Sequence, residues 1–153
     1  DWPVHKMLCK TFSDFSNDKR PSDKHRLGIY FHEHEPSPRF VWIEYDDPES
    51  FATPKHYEQY VGRGCGYQSF KVYRPQHRKL GYTVQIYFDD GFLCNGMRPN
   101  ASLVKLIGMK YAMAWRGPFL VQVLEGDDKD AEERLEGRDI DTTALGPVLD
   151  FFR

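Results

Sequence analysis

The sequence has few cysteines, no long apolar run and no excess of charge of either sign. Its three cysteines, Cys9, Cys65 and Cys94, stand far apart with no Cys-x2-Cys pair, so neither a disulfide framework nor a complete zinc site is expected. An apolar stretch of about 18 residues, which a membrane span needs, is missing, as is a basic, apolar leader. We therefore expect an intracellular protein, cytoplasmic or nuclear, with no membrane partner.

The balance of charge excludes strong long-range attraction to a polyanion. Lys and Arg number 21 against 23 Asp and Glu, which gives a net charge of −2. Such a chain has no overall field that draws it to nucleic acid or to an anionic membrane. At 153 residues with 15% aromatic content, it is long enough to bury a real core as one domain.

The chain divides into three parts. Residues 1–10 form a candidate helix, residues 11–25 are a polar linker, and residues 26–153 show the alternation and turn signals of a folded body. A long connection, residues 46–66, holds at most one or two helical turns near His56 to Val61. The predicted strands are Arg26–His32, Phe40–Tyr45, Tyr67–Tyr73, Gly81–Asp89 and Phe119–Glu125.

Helices are fewer and shorter. Asn100 is a plausible N-cap for a helix from Ala101 to about Met109, although Asn100-Ala101-Ser102 also matches a glycosylation sequon by chance. Further candidates are Asp127–Glu136 and Thr142–Phe152, the second with Asp141 as its cap. The sum predicts a single α+β domain, mainly an antiparallel sheet with a few short helices packed on one face.

A half metal site lies at the beginning of the chain. His5 and Cys9 are four residues apart, which places them on one face of a helix and within reach of one tetrahedral ion. Two ligands do not hold a structural zinc, which takes four. The alternative is an ordinary helical histidine beside a buried thiol.

The residues around this pair resemble a known motif. Asp1-Trp2, His5-Lys6 and Cys9 follow the spacing D-W-x-x-H-K-x-x-C, which is similar to the closing helix of a MYND-type zinc finger. The resemblance implies that His5 and Cys9 complete a zinc site together with upstream cysteines that this chain lacks. Zinc is then expected in the full-length protein and none in this chain by itself.

A second resemblance covers more of the chain. Leu27-Gly28-Ile29-Tyr30-Phe31, Glu33-His34-Glu35-Pro36 and Trp115-Arg116-Gly117-Pro118 look like motifs of the uncharacterised domain that follows the finger in fungal MYND proteins. That resemblance brings no assigned activity. The finger family implies recruitment of short proline-containing peptides in transcriptional or signalling complexes.

Two clusters raise the alternative of an enzyme. Asp89 and Asp90 follow a predicted strand, and His32 and His34 alternate at a strand end, so a metal-dependent hydrolase using Asp89, Asp90 and His34 is one hypothesis. Asp90 also precedes Gly91, which is typical of a hairpin turn. No nucleophile, base and orienting group stand together, and an enzyme is not the favoured interpretation.

A basic hairpin suggests a third possibility. Lys71, Arg74 and Arg78, with His77 and Lys79, alternate with Tyr67, Phe70 and Tyr73. Basic groups neutralise phosphates while aromatic rings stack on bases, so the Lys71–Lys79 hairpin is a candidate for binding single-stranded nucleic acid. The acidic run from Glu125 to Glu136 opposes this, because it offers the basic side chains an alternative partner.

The favoured interpretation is a non-enzymatic protein-interaction domain. Trp115 and Arg116 are residue types enriched at binding hot spots, and the following Gly-Pro fixes the backbone entering a strand. A purely structural tryptophan is the alternative. We expect a protein or peptide partner, bound at an exposed sheet edge or in the groove beside Trp115 and Arg116.

Overall fold

The structure, a computed structural model, describes residues 19–48, 51–62, 65–74, 77–89, 96–125, 136–140 and 142–153, with residues 51–53, 65, 73, 74, 77–81 and 142 described by backbone alone. Within these ranges it is a single α+β domain dominated by an antiparallel sheet, which confirms the predicted fold class. The strands are β1 (His25–Phe31), β2 (Arg39–Asp47), β3 (Phe51–Pro54), β4 (Cys65–Arg74), β5 (His77–Asp89), β6 (Phe119–Glu125) and β7 (Glu136–Arg138). The helices are α1 (Glu58–Val61), α2 (Ala101–Ile107), α3 (Met109–Ala112) and α4 (Leu145–Phe152), the last preceded by a 3-10 turn (Thr142–Ala144).

The sheet joins two hairpins through one central strand. Its order is β3-β2-β1-β6-β5-β4, and all pairs are antiparallel. β1 pairs with β2 and β4 with β5 as antiparallel hairpins, and the second pair confirms the hairpin predicted around Lys71–Lys79. Residues 119–124 of β6 are buried in succession, because β6 has neighbours on both sides and both its faces are covered. That position explains the dense apolar run FLVQVLE.

The short strand β7 fills a gap beside β6. β1 pairs with β6 only from Ile29 to Phe31, and β7 pairs with the far half of β6, on the edge opposite β5. The N–H of Leu27 then donates to Asp139 Oδ1 at 2.8 Å, and its carbonyl accepts from the N–H of Ile140 at 2.8 Å. Although β1 diverges from β6 at this point, both backbone hydrogen-bonding groups of Leu27 therefore have partners.

Gly28 lies at the point where β1 separates from β6. A Cβ at this position would lie 2.3 Å from Ile43 Cδ1 and 2.7 Å from the carbonyl oxygen of Val121. No other residue fits that approach without displacing backbone. The glycine therefore sets how closely β1, β2 and β6 pack.

The main core lies between one face of the sheet and the helices α2, α3 and α4. Phe119 and Phe152 are central, with ring centroids 5.1 Å apart. Gly146 and Pro147 fall in the first turn of α4, where a missing N–H costs nothing, so they do not interrupt the helix. The sheet contributes Leu27, Ile29, Phe31, Phe40, Val84, Ile86, Phe88, Phe119, Val121 and Val123 to this core.

The opposite face of the sheet is lined with tyrosine and glutamine and is covered by α1. Buried Tyr45 donates its hydroxyl to Gln122 Oε1, while Gln122 Nε2 donates to Gln85 Oε1 at 2.6 Å and to the hydroxyl of Tyr87 at 3.1 Å. Val61 of α1 packs on this face. The prediction that the helices share one face is thus wrong for α1.

Some boundaries differ from those predicted. The connection at residues 46–66 contains β3 as well as α1, and β7 was not predicted. The helix from Ala101 ends at Ile107, because Gly108 adopts φ +88° and a new short helix begins after it. The predicted helix Asp127–Glu136 falls largely outside the described residues, as do the cap Asp141, residues 1–10 and most of the linker.

The last residues of the predicted linker are tied to the domain. Arg20 forms an ion pair with Asp139 and lies over the ring of Trp42, with Cζ 4.8 Å from the ring centroid. Its Nη1 also donates to the carbonyl of His25 at 2.6 Å. Among the described residues, no helix has the length and apolar character needed to cross a membrane.

Candidate binding surface

The side chain of Trp115 has a structural role. Its Nε1 donates to the carbonyl of Phe152 at 2.8 Å, and its ring lies 5.2 Å from the ring of Phe152 and 6.1 Å from that of Phe119. The indole thus fastens the last turn of α4 to the start of β6. Binding of a partner by Trp115 itself stays a prediction.

Arg116 joins two loops. Its Nε donates to the carbonyl of Met113 and its Nη1 to the carbonyl of Met97, both at 3.3 Å. A β-bridge pairs Arg116 with Pro99, and the N–H of Gly117 donates to the carbonyl of Arg98 at 3.0 Å. Arg116 therefore shapes the segment from residue 96 to residue 117, which contains α2 and α3.

Asn100 anchors this segment in the core. The side chain is fully buried and makes four hydrogen bonds: Nδ2 donates to the carbonyls of Phe31 and Gly117, and Oδ1 accepts from the N–H groups of Ser102 and Leu103. The predicted N-cap is confirmed. Because no part of the amide reaches solvent, the sequon that begins at Asn100 is not accessible in the folded domain.

Next to this buried polar group, α3 exposes apolar side chains. Met109, Tyr111 and Met113 are 52%, 42% and 51% exposed, whereas Ala112 between them is fully buried and anchors α3 to the core. Tyr67 is the other large apolar side chain of the described residues with comparable exposure, at 60%. Three of these four side chains thus fall within five consecutive residues. We call Met109, Tyr111 and Met113 the α3 surface.

Positive charge predominates in the segment that carries the α3 surface. Lys110 lies with Nζ 5.7 Å from the ring centroid of Tyr111, Arg116 contacts Met113, and Lys105 is in the last turn of α2. Arg98 follows Met97 at the bridge to Arg116. We call these four residues the basic rim, and none of them forms an ion pair within the described part of the chain.

The basic hairpin presents its residues on two different faces. Phe70 is stacked on Phe151 of α4, with ring centroids 5.0 Å apart and planes 8° from parallel, so it is not available to a base. Tyr67 and Lys71 are exposed and lie on the opposite face. The side chains of Arg74, His77, Arg78 and Lys79 lie outside the described residues, so nucleic-acid binding here stays a prediction.

The outer edge of the sheet is the other surface that the sequence pointed to. Among the described strands, β4 pairs with β5 alone over ten residues. It also carries two features with which natural sheets discourage strand addition: the exposed Lys71 and a bulge between Tyr73 and Arg74. Both features disfavour strand addition at β4, and the α3 surface is therefore the stronger candidate.

The residues of the enzyme hypothesis are not brought into one described site. Asp89 is buried near Gly62, whereas His34 is exposed in the turn after β1, 3.3 Å from Glu33 Oε1. The strand β6 lies between β5 and β1. Asp90, His5 and Cys9 fall outside the described residues, within which no three His, Cys, Asp or Glu side chains are grouped to hold a metal.

We call the face of the sheet that is covered by α1 the tyrosine face. The tyrosine hydroxyls there are protonated and act as hydrogen-bond donors. Burial raises the pKa of Tyr45 far above its usual range, with the neighbouring Tyr87 adding to the effect. Burial likewise raises the pKa of Tyr30 and Tyr60. At neutral pH these hydroxyls therefore stay protonated and serve structure: that of Tyr30 donates to the carbonyl of Tyr60 at 2.8 Å.

Comparison with protein-family models, curated proteins and solved structures gives no match. The α3 surface was not predicted from the sequence. One signal for it exists: between Asp90 and Glu125 the sequence has four basic residues and no acidic residue, and MKYAM falls within that stretch.

Proposed function

We propose that this chain is a non-enzymatic protein-interaction domain that binds its partner at the α3 surface. One observation carries the proposal: most of the exposed large apolar side chains of the described residues are concentrated at Met109, Tyr111 and Met113. Met109 and Met113 are four residues apart and therefore lie on one face of the helical turn, and exposed apolar groups on one face are typical of protein-binding sites. Methionine and tyrosine are both enriched at interface cores.

The packing of α3 against the core favours its use as a binding surface. Ala112 is buried and packs α3 against the core, so Met109 and Met113 are presented from a helical turn that is attached to the domain. A preformed surface loses less conformational entropy when a partner binds. The unbranched thioether side chains can then adapt to the shape of the partner.

A selection from a random peptide display library tests the proposal. Peptides of about 16 residues are selected on the whole chain, and their affinities are measured for the chain and for the double variant Met109→Gln/Met113→Gln. We expect micromolar binding and a loss of at least about tenfold in the double variant, or about 1.4 kcal/mol.

Tyr67→Gln is the matched control, because it removes an apolar side chain of similar exposure from β4. We expect this variant to bind the selected peptides as the unchanged chain does. Failure to enrich any peptide, or peptides that lose affinity in Tyr67→Gln and not in the double variant, would overturn the proposal.

The resemblance of residues 1–10 to a MYND finger supports a wider setting. In the proposal, the domain stands beside a zinc finger that His5 and Cys9 complete with upstream cysteines, in a transcriptional or signalling complex inside the cell. Zinc content measured on a longer chain that includes those cysteines tests this. We expect bound zinc there, its loss in Cys9→Ser, and none in the present chain.

A further inference from the structure

The charges around the α3 surface point to the chemistry of its partner, provided that the proposed function holds. Residues 96–117 contain Arg98, Lys105, Lys110 and Arg116 and no acidic residue, although the whole chain has a net charge of −2. Arg98, Lys105 and Lys110 are exposed, and Arg116 is half-buried. The net charge of this segment is thus positive, whereas that of the whole chain is negative.

In a complex, the α3 surface and the basic rim would contact the same partner. Apolar side chains of the partner would be buried against Met109, Tyr111 and Met113, while the rim would face its flanking residues. Complementary charge raises the association rate and disfavours partners of the wrong sign. We infer that the partner presents an acidic, amphipathic segment, with large apolar side chains between carboxylates.

Three synthetic peptides test this inference. Each has about 18 residues, roughly five turns of an amphipathic helix, with the same leucines and one tryptophan and with Glu, Gln or Lys at the polar positions. Their affinities are measured by fluorescence anisotropy on the whole chain, at low and at high salt. We expect the Glu peptide to bind at least about tenfold more tightly than the Gln peptide, with the difference shrinking as salt screens the charges.

Charge reversal on the protein gives the complementary measurement. Lys105→Glu/Lys110→Glu should remove the preference for the Glu peptide. Lys19→Glu/Lys24→Glu, which changes the net charge equally at two exposed residues outside this segment, should retain it. If both double variants lost the preference equally, only the overall charge would matter and the inference would be overturned.

The outcomes separate the inference from the proposed function. If all three peptides bind equally and Met109→Gln/Met113→Gln weakens them all, the binding function stands and the acidic partner is wrong. If none binds, both fail. Equally tight binding of a single-stranded oligonucleotide would reassign the rim to nucleic acid.

Discussion

Two regions of the segment 96–117 invert the usual distribution of polar and apolar groups. Asn100, a polar residue, is completely buried, whereas about half of the surface of Met109 and Met113 is exposed. All four hydrogen-bonding positions of the Asn100 amide are used within the fold. The buried amide thus orders the segment, and the exposed thioethers are the groups that we propose to contact a partner.

Substituting Asn100 tests whether its buried amide orders the segment 96–117. It has the largest expected effect on the free energy of unfolding. Asn100→Ala removes a helix cap, worth about 1 kcal/mol, and removes the Asn100 hydrogen bonds to the buried carbonyls of Phe31 and Gly117, at about 1–3 kcal/mol each. We expect a loss of about 4 kcal/mol in the free energy of unfolding, measured with urea.

Ser102→Ala is the control, since it removes one hydrogen bond, from Ser102 Oγ to the carbonyl of Glu35 at 2.7 Å. Its expected cost is about 1 kcal/mol. If Asn100→Ala cost no more than Ser102→Ala, the assignment of Asn100 as the ordering group would be wrong. Should Asn100→Ala fail to fold, Asn100→Ser retains an uncharged capping oxygen and tests the loss of the two amide donations to the carbonyls of Phe31 and Gly117.

The polar network under α1 is the next test, and it adds a pH dependence. Tyr45→Phe removes the hydroxyl that donates to Gln122, and we expect a loss of about 1–2 kcal/mol at neutral pH. Burial raises the pKa of Tyr45 above that of the unfolded chain, about 10. The stability from its neutral hydroxyl is therefore full below about pH 10 and declines as the pH rises further.

Urea unfolding at about pH 8 and about pH 10.5 measures this effect. We expect the unchanged chain to lose more stability over that interval than Tyr45→Phe, in which only other tyrosines such as Tyr30 and Tyr60 remain to ionise. Equal losses in the two proteins would mean that the Tyr45 hydroxyl ionises as readily in the folded state as in the unfolded state.

Asp139 is expected to have a smaller effect on stability. Its contribution is lost at low pH, whereas that of Tyr45 is lost at high pH. Burial raises the pKa of its carboxyl, but the hydrogen bonds from Arg20 and from the N–H of Leu27 lower it further, so the net shift is downward. Its stabilisation is present above about pH 3.9, the unfolded value, and is lost as the pH falls through the folded pKa.

Asp139→Asn should therefore cost about 1 kcal/mol at neutral pH and should lose less stability than the unchanged chain on acidification from about pH 5 to about pH 2.5. Asp150→Asn, which breaks an exposed pair with Arg153 at 2.9 Å, is the control and should follow the unchanged chain. Identical acid profiles for the Asp139 and Asp150 variants would contradict the account of β7 and Arg20.

The smallest effect on stability is expected at the α3 surface. Met109→Gln/Met113→Gln replaces half-exposed side chains and should change the free energy of unfolding by no more than about 0.5 kcal/mol. Leu106→Gln, in the neighbouring helix and buried, should cost several times as much because it places an amide in the core. If the double methionine variant cost about 2 kcal/mol or more, the α3 surface would be part of the core.

The sequence predicted the elements whose signals are local. The alternation in β1, the apolar run of β2, the strand-like residues of β5, the apolar density of β6 and the N-cap at Asn100 are all local signals. The strand β7 was missed because three residues carry no detectable period, and its place depends on where β1 leaves β6.

The candidate surface was less accessible to sequence reasoning. Trp115 and Arg116 attracted attention by residue type, yet their hydrogen bonds to the carbonyls of Phe152, Met113 and Met97 are long-range or depend on the loop conformation. The predicted helix ended at about Met109 and did not include Met113, and neither methionine was identified as exposed. Only the break at Gly108, with its positive φ, turns them outward.

The most direct test of the central claim is amide chemical-shift mapping of the whole chain with the Glu peptide. We predict that the largest changes lie within residues 96–117, centred on Met109 to Met113, and that they disappear in Met109→Gln/Met113→Gln. Changes centred instead on β4 around Tyr67 and Lys71, or on the tyrosine face around Gln85 and Tyr87, would contradict the assignment of α3 as the binding surface.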